Sequence, residues 1–287
     1  DVEMPYRMIR AFGLGAALAA GEGYAVDIDR AVTNTVATLL RFAHVVAAER
    51  PPLDVLACAP HRALAREAAT KAVVLLRNEP VAGETVLPIE LGAGPVAVIG
   101  ALATERNLGD GGSSDVWAPQ VVSPLDGIRE LAGDAAVVHH DGSDLDQAAA
   151  VAGTADVAVV VVGYTKADEG EYIGGSATTH LAELMPAADE PEVAARFAAM
   201  LAEDPEPFQK PGAAAGEDVG FSKGGDRTSL RLRARDVALI RAVAAANPRT
   251  VVAIVAGSAV LIDEWHEAVP AVLQSWYAGM EGGRALA

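Results

Sequence analysis

Val157-Ala158-Val159-Val160-Val161-Val162 is an unbroken run of small and β-branched apolar residues, closed by Gly163. A strand with one wet face would alternate apolar and polar positions. An unbroken run predicts a strand buried on both faces, and hence a mainly parallel sheet covered by helices. Val96–Ile99, Val251–Val255 and Val269–Leu273 repeat the signal, and His139-His140 ends a further strand. Helical patterns fall between these runs. Ser123-Pro124-Leu125-Asp126 supplies an N-cap, a proline at the first helical position and an acid at the third, and Gly133 closes that segment. Val237, Ile240 and Val243 share one face of a helix over 235–246, which Asn247-Pro248 ends. The expected fold class is α/β: a layered, doubly wound domain with a mostly parallel sheet.

Upstream, the pattern is less regular. Residues 1–25 begin with Asp1-Val2-Glu3-Met4-Pro5 and pass into a small-residue, glycine-rich stretch that could not fold alone. A helix is predicted over 27–48, with Asp27 as N-cap and Ile28, Val32, Val36, Leu39 and Leu40 at helical spacing; Arg50-Pro51-Pro52 stops it. Residues 61–70 read as a second helix, followed by the apolar run Val73 to Leu76. Residues 173–223 interrupt the alternation with Pro, Ala and acidic residues. Their one amphipathic stretch holds Val193, Phe197, Met200 and Leu201. A surface insertion and a lid are the two readings of that segment.

The chain has 287 residues, 51% of them hydrophobic, which is room for one large domain or two smaller ones. A formal net charge of −17 argues against nucleic acid, anionic lipid or a strongly acidic substrate as partner, and suits a small neutral ligand such as a sugar. No apolar stretch is long enough to span a bilayer. Cys58 is the only cysteine, so an internal disulfide and a cysteine-based metal site are both excluded, and it reads as a buried inert thiol. The six histidines show no metal spacing, so neither a metal nor a cofactor is expected. Ser113, Ser114 and Ser258 lie in no G-x-S-x-G elbow, which disfavours a serine hydrolase. The first residue is Asp1, with no leader-like segment after it, and the compartment is not legible.

In a parallel sheet, the loops leaving the carboxyl ends of the strands share one edge, where ligands bind. Three loops are expected there: one holding Gly109-Asp110-Gly111-Gly112-Ser113-Ser114, one running from Tyr164 to Tyr172, and one containing Gly257-Ser258. The first lacks the lysine of a phosphate loop. It suits a tight turn that offers Asp110, Ser113, Ser114 and backbone N–H groups to a substrate. The second holds Asp168-Glu169-Gly170-Glu171, three carboxyls within four residues. Crowded like charges raise the pKa of at least one member, as a general acid requires. A solvated acidic loop is the plainer alternative, and the spacing does not match an EF-hand.

Several of these segments together resemble glycoside hydrolase family 3. Asp1-Val2-Glu3-Met4-Pro5 is similar to the end of that family's "GLD-x-EMP" segment, and residues 65–78 to the entry of its second domain. Residues 109–128, 160–173, 224–230 (GGDRTSL), 247–252 (NPRTVV) and 276–287 (WYAGMEGGRALA) continue in the family's order. The resemblance implies an (α/β)6-sandwich domain over 61–287, with 173–223 inserted and its C-terminal element incomplete. It also implies that residues 1–60 are the last remnant of a (β/α)8 barrel plus linker.

For function, the resemblance implies a retaining β-glucosidase-like enzyme acting on a small neutral glycoside, with the sandwich packed against its barrel domain. Its nucleophile is an Asp in an "SDW" segment that this sequence lacks. The acid/base falls on Glu169, with Glu171 as second choice, and Asp226 and Arg227 of the "GDR" brace the loop. The fragment alone is then expected to be inactive. A non-catalytic carbohydrate-binding or scaffold domain is the competing class, and a nucleotide-binding domain with phosphate affinity at 109–114 is the third.

Overall fold

A computed structural model describes residues 2, 9–21, 25–48, 50–90, 92, 94–109, 116, 118–133, 136–170, 227 and 229–287. They fall into two compact units, divided between Val55 and Leu56. In the first unit lie α1 (Ile9–Ala19), α2 (Ala25–Arg41) and α3 (Ala43–Ala47). α1 forms inside the glycine-rich stretch because its alanines and two leucines are strong helix formers. The helix expected over 27–48 breaks at Phe42 (φ −104°, ψ 10°). Asp27 sits in the first turn of α2, not at its cap, and pairs with Arg30 at 3.1 Å. The apolar stripe of α2 keeps its helical spacing, but Val32, Val36, Leu39 and Leu40 remain exposed.

The second unit is the layered domain. α4 (Ala59–Ala72) leads into β1 (Val74–Asn78), the short hairpin of β2 (Pro80–Val81) and β3 (Glu84–Thr85), and then β4 (Val96–Ile99). Alternating elements follow: α5 (Pro124–Ala132), β5 (Val137–His140), α6 (Leu145–Gly153), β6 (Val157–Gly163), α7 (Lys166–Glu169), α8 (Ala234–Ala246), β7 (Thr250–Val255), β8 (Ala271–Gln274) and α9 (Gly282–Leu286). Six strands form one sheet in the order β1-β8-β7-β6-β4-β5. All neighbours are parallel except β1, which runs antiparallel to β8 at the edge. This is the mostly parallel α/β sheet that the apolar runs predicted.

β6 shows why its sequence is unbroken. Ala158, Val160 and Val162 enter a core built with Ala148 and Ala152 of α6, Val237, Ile240 and Val243 of α8, and Trp265. Val157, Val159 and Val161 enter a second core on the opposite face, with Leu125 and Ile128 of α5. The expected caps hold as well. Ser123 and Asp126 form a reciprocal capping box, and Gly133 closes α5 at φ 82°. Asn247 ends α8 and its side-chain amide bonds the carbonyls of Ala152 and Ala155 at 2.9 and 2.8 Å, tying α6 to the start of β7. Two expectations shift. β8 begins at Ala271 because Pro270 has no N–H for the ladder. Cys58 precedes the first turn of α4 and is only half-buried, since its short apolar run opens a surface helix and does not cross the core.

The chain's end is tied in by one buried carboxylate. Glu281 accepts from Arg62 Nε of α4 at 2.6 Å and from Arg284 Nη1 of α9 at 2.8 Å, and its side chain is 3% exposed. Arg284 also grips Glu130 of α5 through two bonds of 2.6 and 2.8 Å. Burial alone would raise the Glu281 carboxyl. The two arginines outweigh it and hold the group below its usual range.

Gly163 ends β6 at φ 138°, and a Cβ there would stand 1.9 Å from the carbonyl oxygen of Val255. Gly163→Ala is therefore expected to destabilise the domain by about 2–4 kcal/mol. The change should appear as a lowered denaturant midpoint with an unchanged slope.

Candidate active site

Because β4, β6, β7 and β8 are parallel neighbours, the segments after Ile99, Gly163, Val255 and Gln274 all leave at one edge. Three of these exits were expected. The fourth runs through Trp276 and Tyr277, which the sequence shows only as part of the 276–287 motif.

The acidic loop is folded tightly against this edge. Thr165 and Asp168 cap α7 reciprocally, with the Thr165 N–H donating to Asp168 Oδ2 at 2.9 Å. Asp168 also accepts from the Arg233 guanidinium, which reaches the Gly163 carbonyl at 3.2 Å. Burial would raise the Asp168 carboxyl. The bonds from Arg233 and the Thr165 N–H outweigh that and hold it below the usual Asp range.

Glu169 closes α7 and points into a cluster drawn from three other segments. Its Oε1 accepts from Arg227 Nε at 2.6 Å. Its Oε2 accepts from the Gly257 N–H at 2.8 Å and from the Tyr277 hydroxyl at 2.5 Å. The Glu169 side chain is 9% exposed and that of Arg227 6%. Arg227 lies over the Tyr164 ring, its Cζ 4.3 Å from the centroid, and its Nη2 donates to the Ser258 hydroxyl and the Ala259 carbonyl. Its Nη1 is buried without a partner among the described residues. Tyr164 is fixed in turn by its hydroxyl on the Arg231 carbonyl, while its own carbonyl accepts from Asn107 at 2.8 Å. Burial, followed by the bond to Glu169, pushes the Tyr277 phenol well above its ordinary value, so Tyr277 keeps its hydrogen and donates.

The crowding read from Asp168-Glu169-Gly170-Glu171 is thus relieved for its first two carboxyls, since each faces its own arginine. Of the residues singled out from the sequence, Glu169 and Arg227 meet directly. Glu171, Asp110, Ser113, Ser114, Asp226 and the 173–223 insertion lie outside the described residues. Sequence reasoning missed Tyr277, Gly257 as a donor, Tyr164 and the Asp168–Arg233 pair. The available signal was positional: each follows, or packs on, the carboxyl end of a strand in one parallel sheet. His139 and His140 are structural, with His139 Nδ1 at 2.7 Å from the Val98 carbonyl and His140 Nδ1 accepting from the Gly142 N–H at 3.0 Å. A groove of about 560 Å³ beside Arg62, Arg66, Lys71 and Arg284 is lined by none of the residues around Glu169.

The site is thus an acidic loop, braced by arginines, at the carboxyl edge of a mostly parallel α/β sheet. The chain belongs to glycosyl hydrolase family 3: residues 73–287 match the family's C-terminal domain. Beta-glucosidase BoGH3A of Bacteroides ovatus is 29% identical over 269 residues, which cover 89% of this chain and 30% of that protein. The exo-alpha-(1->6)-L-arabinopyranosidase of Bifidobacterium longum is 27% identical over 245 residues, covering 79% of this chain and 25% of that protein. The chain therefore spans under a third of the length of these relatives. The crystal structure of a Bifidobacterium adolescentis beta-glucosidase superimposes with a TM-score of 0.66 at 24% identity, covering 96% of this chain and 33% of that one, and so shares its fold.

Two aspartates beside Arg233 predict opposite effects. Asp168 has a lowered carboxyl pKa, so its stabilisation is full above the ordinary Asp value of about 4 and is lost as pH falls below it. Asp236 is raised by burial, only partly offset by Arg233 and Arg235, and its Oδ2 has no hydrogen-bond partner among the described residues, Arg233 Nη1 standing 3.7 Å away. Its ionised form opposes folding at neutral pH, and that penalty is relieved as pH falls through the raised value. At pH 7, Asp168→Asn is expected to lower the denaturant midpoint and Asp236→Asn to raise it. At a pH well below 4 the first difference should shrink.

Proposed function

We propose that this chain is the acid/base-bearing lobe of a retaining glycoside hydrolase that removes terminal sugars from β-glycosides. The observation that carries the reading is the acidic loop of residues 168–171, whose described part is anchored at the carboxyl edge of the sheet by Glu169. It does so in a chain belonging to a glycosidase family. The names of the relatives, a beta-glucosidase and an L-arabinopyranosidase, support a pyranoside substrate.

In this scheme a loop carboxyl, drawn from the Glu169/Glu171 pair, protonates the glycosidic oxygen while an aspartate attacks the anomeric carbon. The resulting carboxylate then takes a proton from the water that displaces the aspartate. The sequence holds no "SDW" segment, so the nucleophile is assigned to a part of the enzyme outside this chain. That part is a barrel domain, against which the sandwich packs and of which residues 1–60 are the end together with the linker. Asp110, Ser113 and Ser114 are assigned to substrate contact, and Asp226 with Arg227 to bracing the loop.

The test is an assay of the 287-residue chain and of the full-length gene product containing it, on aryl β-glucosides, β-xylosides and α-L-arabinopyranosides. The full-length product should turn over at least one of them. The chain alone should not exceed a buffer blank, because without a nucleophile no glycosyl-enzyme forms. Turnover by the chain alone, or inertness of the full-length product on all three, overturns the reading.

A further inference from the structure

We infer that Glu169 is a positioning residue, which locks the acidic loop to the ends of β7 and β8, and that it does not carry the catalytic proton. The inference rests on the glycosidase reading above and narrows it. A general acid must present a proton to the leaving oxygen, and a general base must present a free lone pair to water. Of the roughly four acceptor sites of the Glu169 carboxylate three are filled by donors, and the fourth, on Oε1, lies beside the Arg227 guanidinium, which opposes a proton there. A proton on Oε1 would face the Arg227 guanidinium, and one on Oε2 would face two hydrogens already there, from the Gly257 amide and the Tyr277 hydroxyl.

These partners are themselves held in place. Arg227 is fixed by Ser258, Ala259 and the face of Tyr164, so it cannot follow a moving carboxylate. The Gly257 amide belongs to the backbone just past β7, and a Cβ at that position would stand 3.3 Å from Glu169 Oε2. Tyr277 follows Trp276, whose backbone is left-handed (φ 57°) and whose indole N–H bonds the Ala72 carbonyl at the end of α4 at 3.0 Å. Positive φ at so bulky a residue is costly and persists only where its surroundings over-determine it. Here it turns Tyr277 toward Glu169. Three separate segments thus converge on one carboxylate and fix the loop as far as Gly170.

Glu169→Gln separates the two roles. Glutamine keeps the shape but has one acceptor oxygen and one amide donor, so it cannot receive hydrogens from all three partners at once. In the 287-residue chain, the substitution is expected to speed tryptic cleavage after Arg227 about tenfold, because the buried guanidinium loses its charge-assisted partner. Unchanged cleavage there overturns the inference. In the full-length gene product, Glu169→Gln is expected to lower kcat/KM about a hundredfold through misplacement of the loop. The loss should be equal for dinitrophenyl and unactivated alkyl glycosides, with both limbs of the pH profile retained. Azide, which attacks the glycosyl-enzyme without needing a general base, should give no rescue. Glu171→Gln provides the contrast in the same assays. Sparing of the activated glycoside, loss of the alkaline limb or rescue by azide in Glu169→Gln would make Glu169 the acid/base and overturn the inference. Should the wild-type full-length product cleave no glycoside, the functional reading fails, and the tryptic comparison alone decides whether Glu169 anchors the loop.

Discussion

Sealing β6 between two apolar layers is the constraint on which the rest of this domain depends. Val160 has no solvent exposure, and its neighbours alternate between the cores facing α6 and α8 on one side and α5 on the other. A strand closed on both faces cannot slip by one residue without exchanging every side chain between the two layers. Its register against β4 and β7 is therefore fixed, and so is the height at which Gly163 releases the chain. Everything at the site is measured from that exit: Tyr164 packs under Arg227, α7 turns within four residues, and Glu169 arrives level with the amide of Gly257.

Two buried carboxylates divide the labour of holding the unit together. Glu281 sits between Arg62 and Arg284 and joins α4, α9 and, through Arg284, α5. Glu169 joins the loop after β6 to the ends of β7 and β8. Each escapes the cost of burial because guanidinium donors or local N–H and O–H groups meet its oxygens directly; removing a partner would strand a charge in a poorly solvated place. The first carboxylate fixes architecture, and the second fixes the rim at the carboxyl edge of the sheet.

The fold was legible because its signals are local. Apolar runs without polar interruption gave the parallel sheet, and Ser123, Gly133 and Asn247 gave helix limits through cap chemistry that needs only a few neighbouring residues. The break at Phe42, the exposed face of α2 and the half-exposure of Cys58 depend on what packs nearby, which periodicity does not encode. The site was legible only in part for the same reason. Carboxyl crowding in Asp168-Glu169 suggested mutual repulsion, yet Arg227 and Arg233 come from nearly sixty residues or more downstream and give each carboxyl its own cation. Tyr277 lies in the 276–287 motif, but its bond to Glu169 spans 108 residues, a distance at which sequence spacing carries no geometric information.

The pairing of β1 with β8 sets Val74 against Gln274, two hundred residues later in the chain. At a translation rate of about 5–20 residues per second, the first of these strands waits roughly 10–40 s on the ribosome before its partner exists. Through that interval β4, β5 and β6 can already pair, while the backbone of β1 has no ladder partner and the Ala72 carbonyl has no indole to meet. The rim is thus completed only once the segment around Tyr277 has emerged, and a nascent chain holds an ordered half-sheet well before it holds a site.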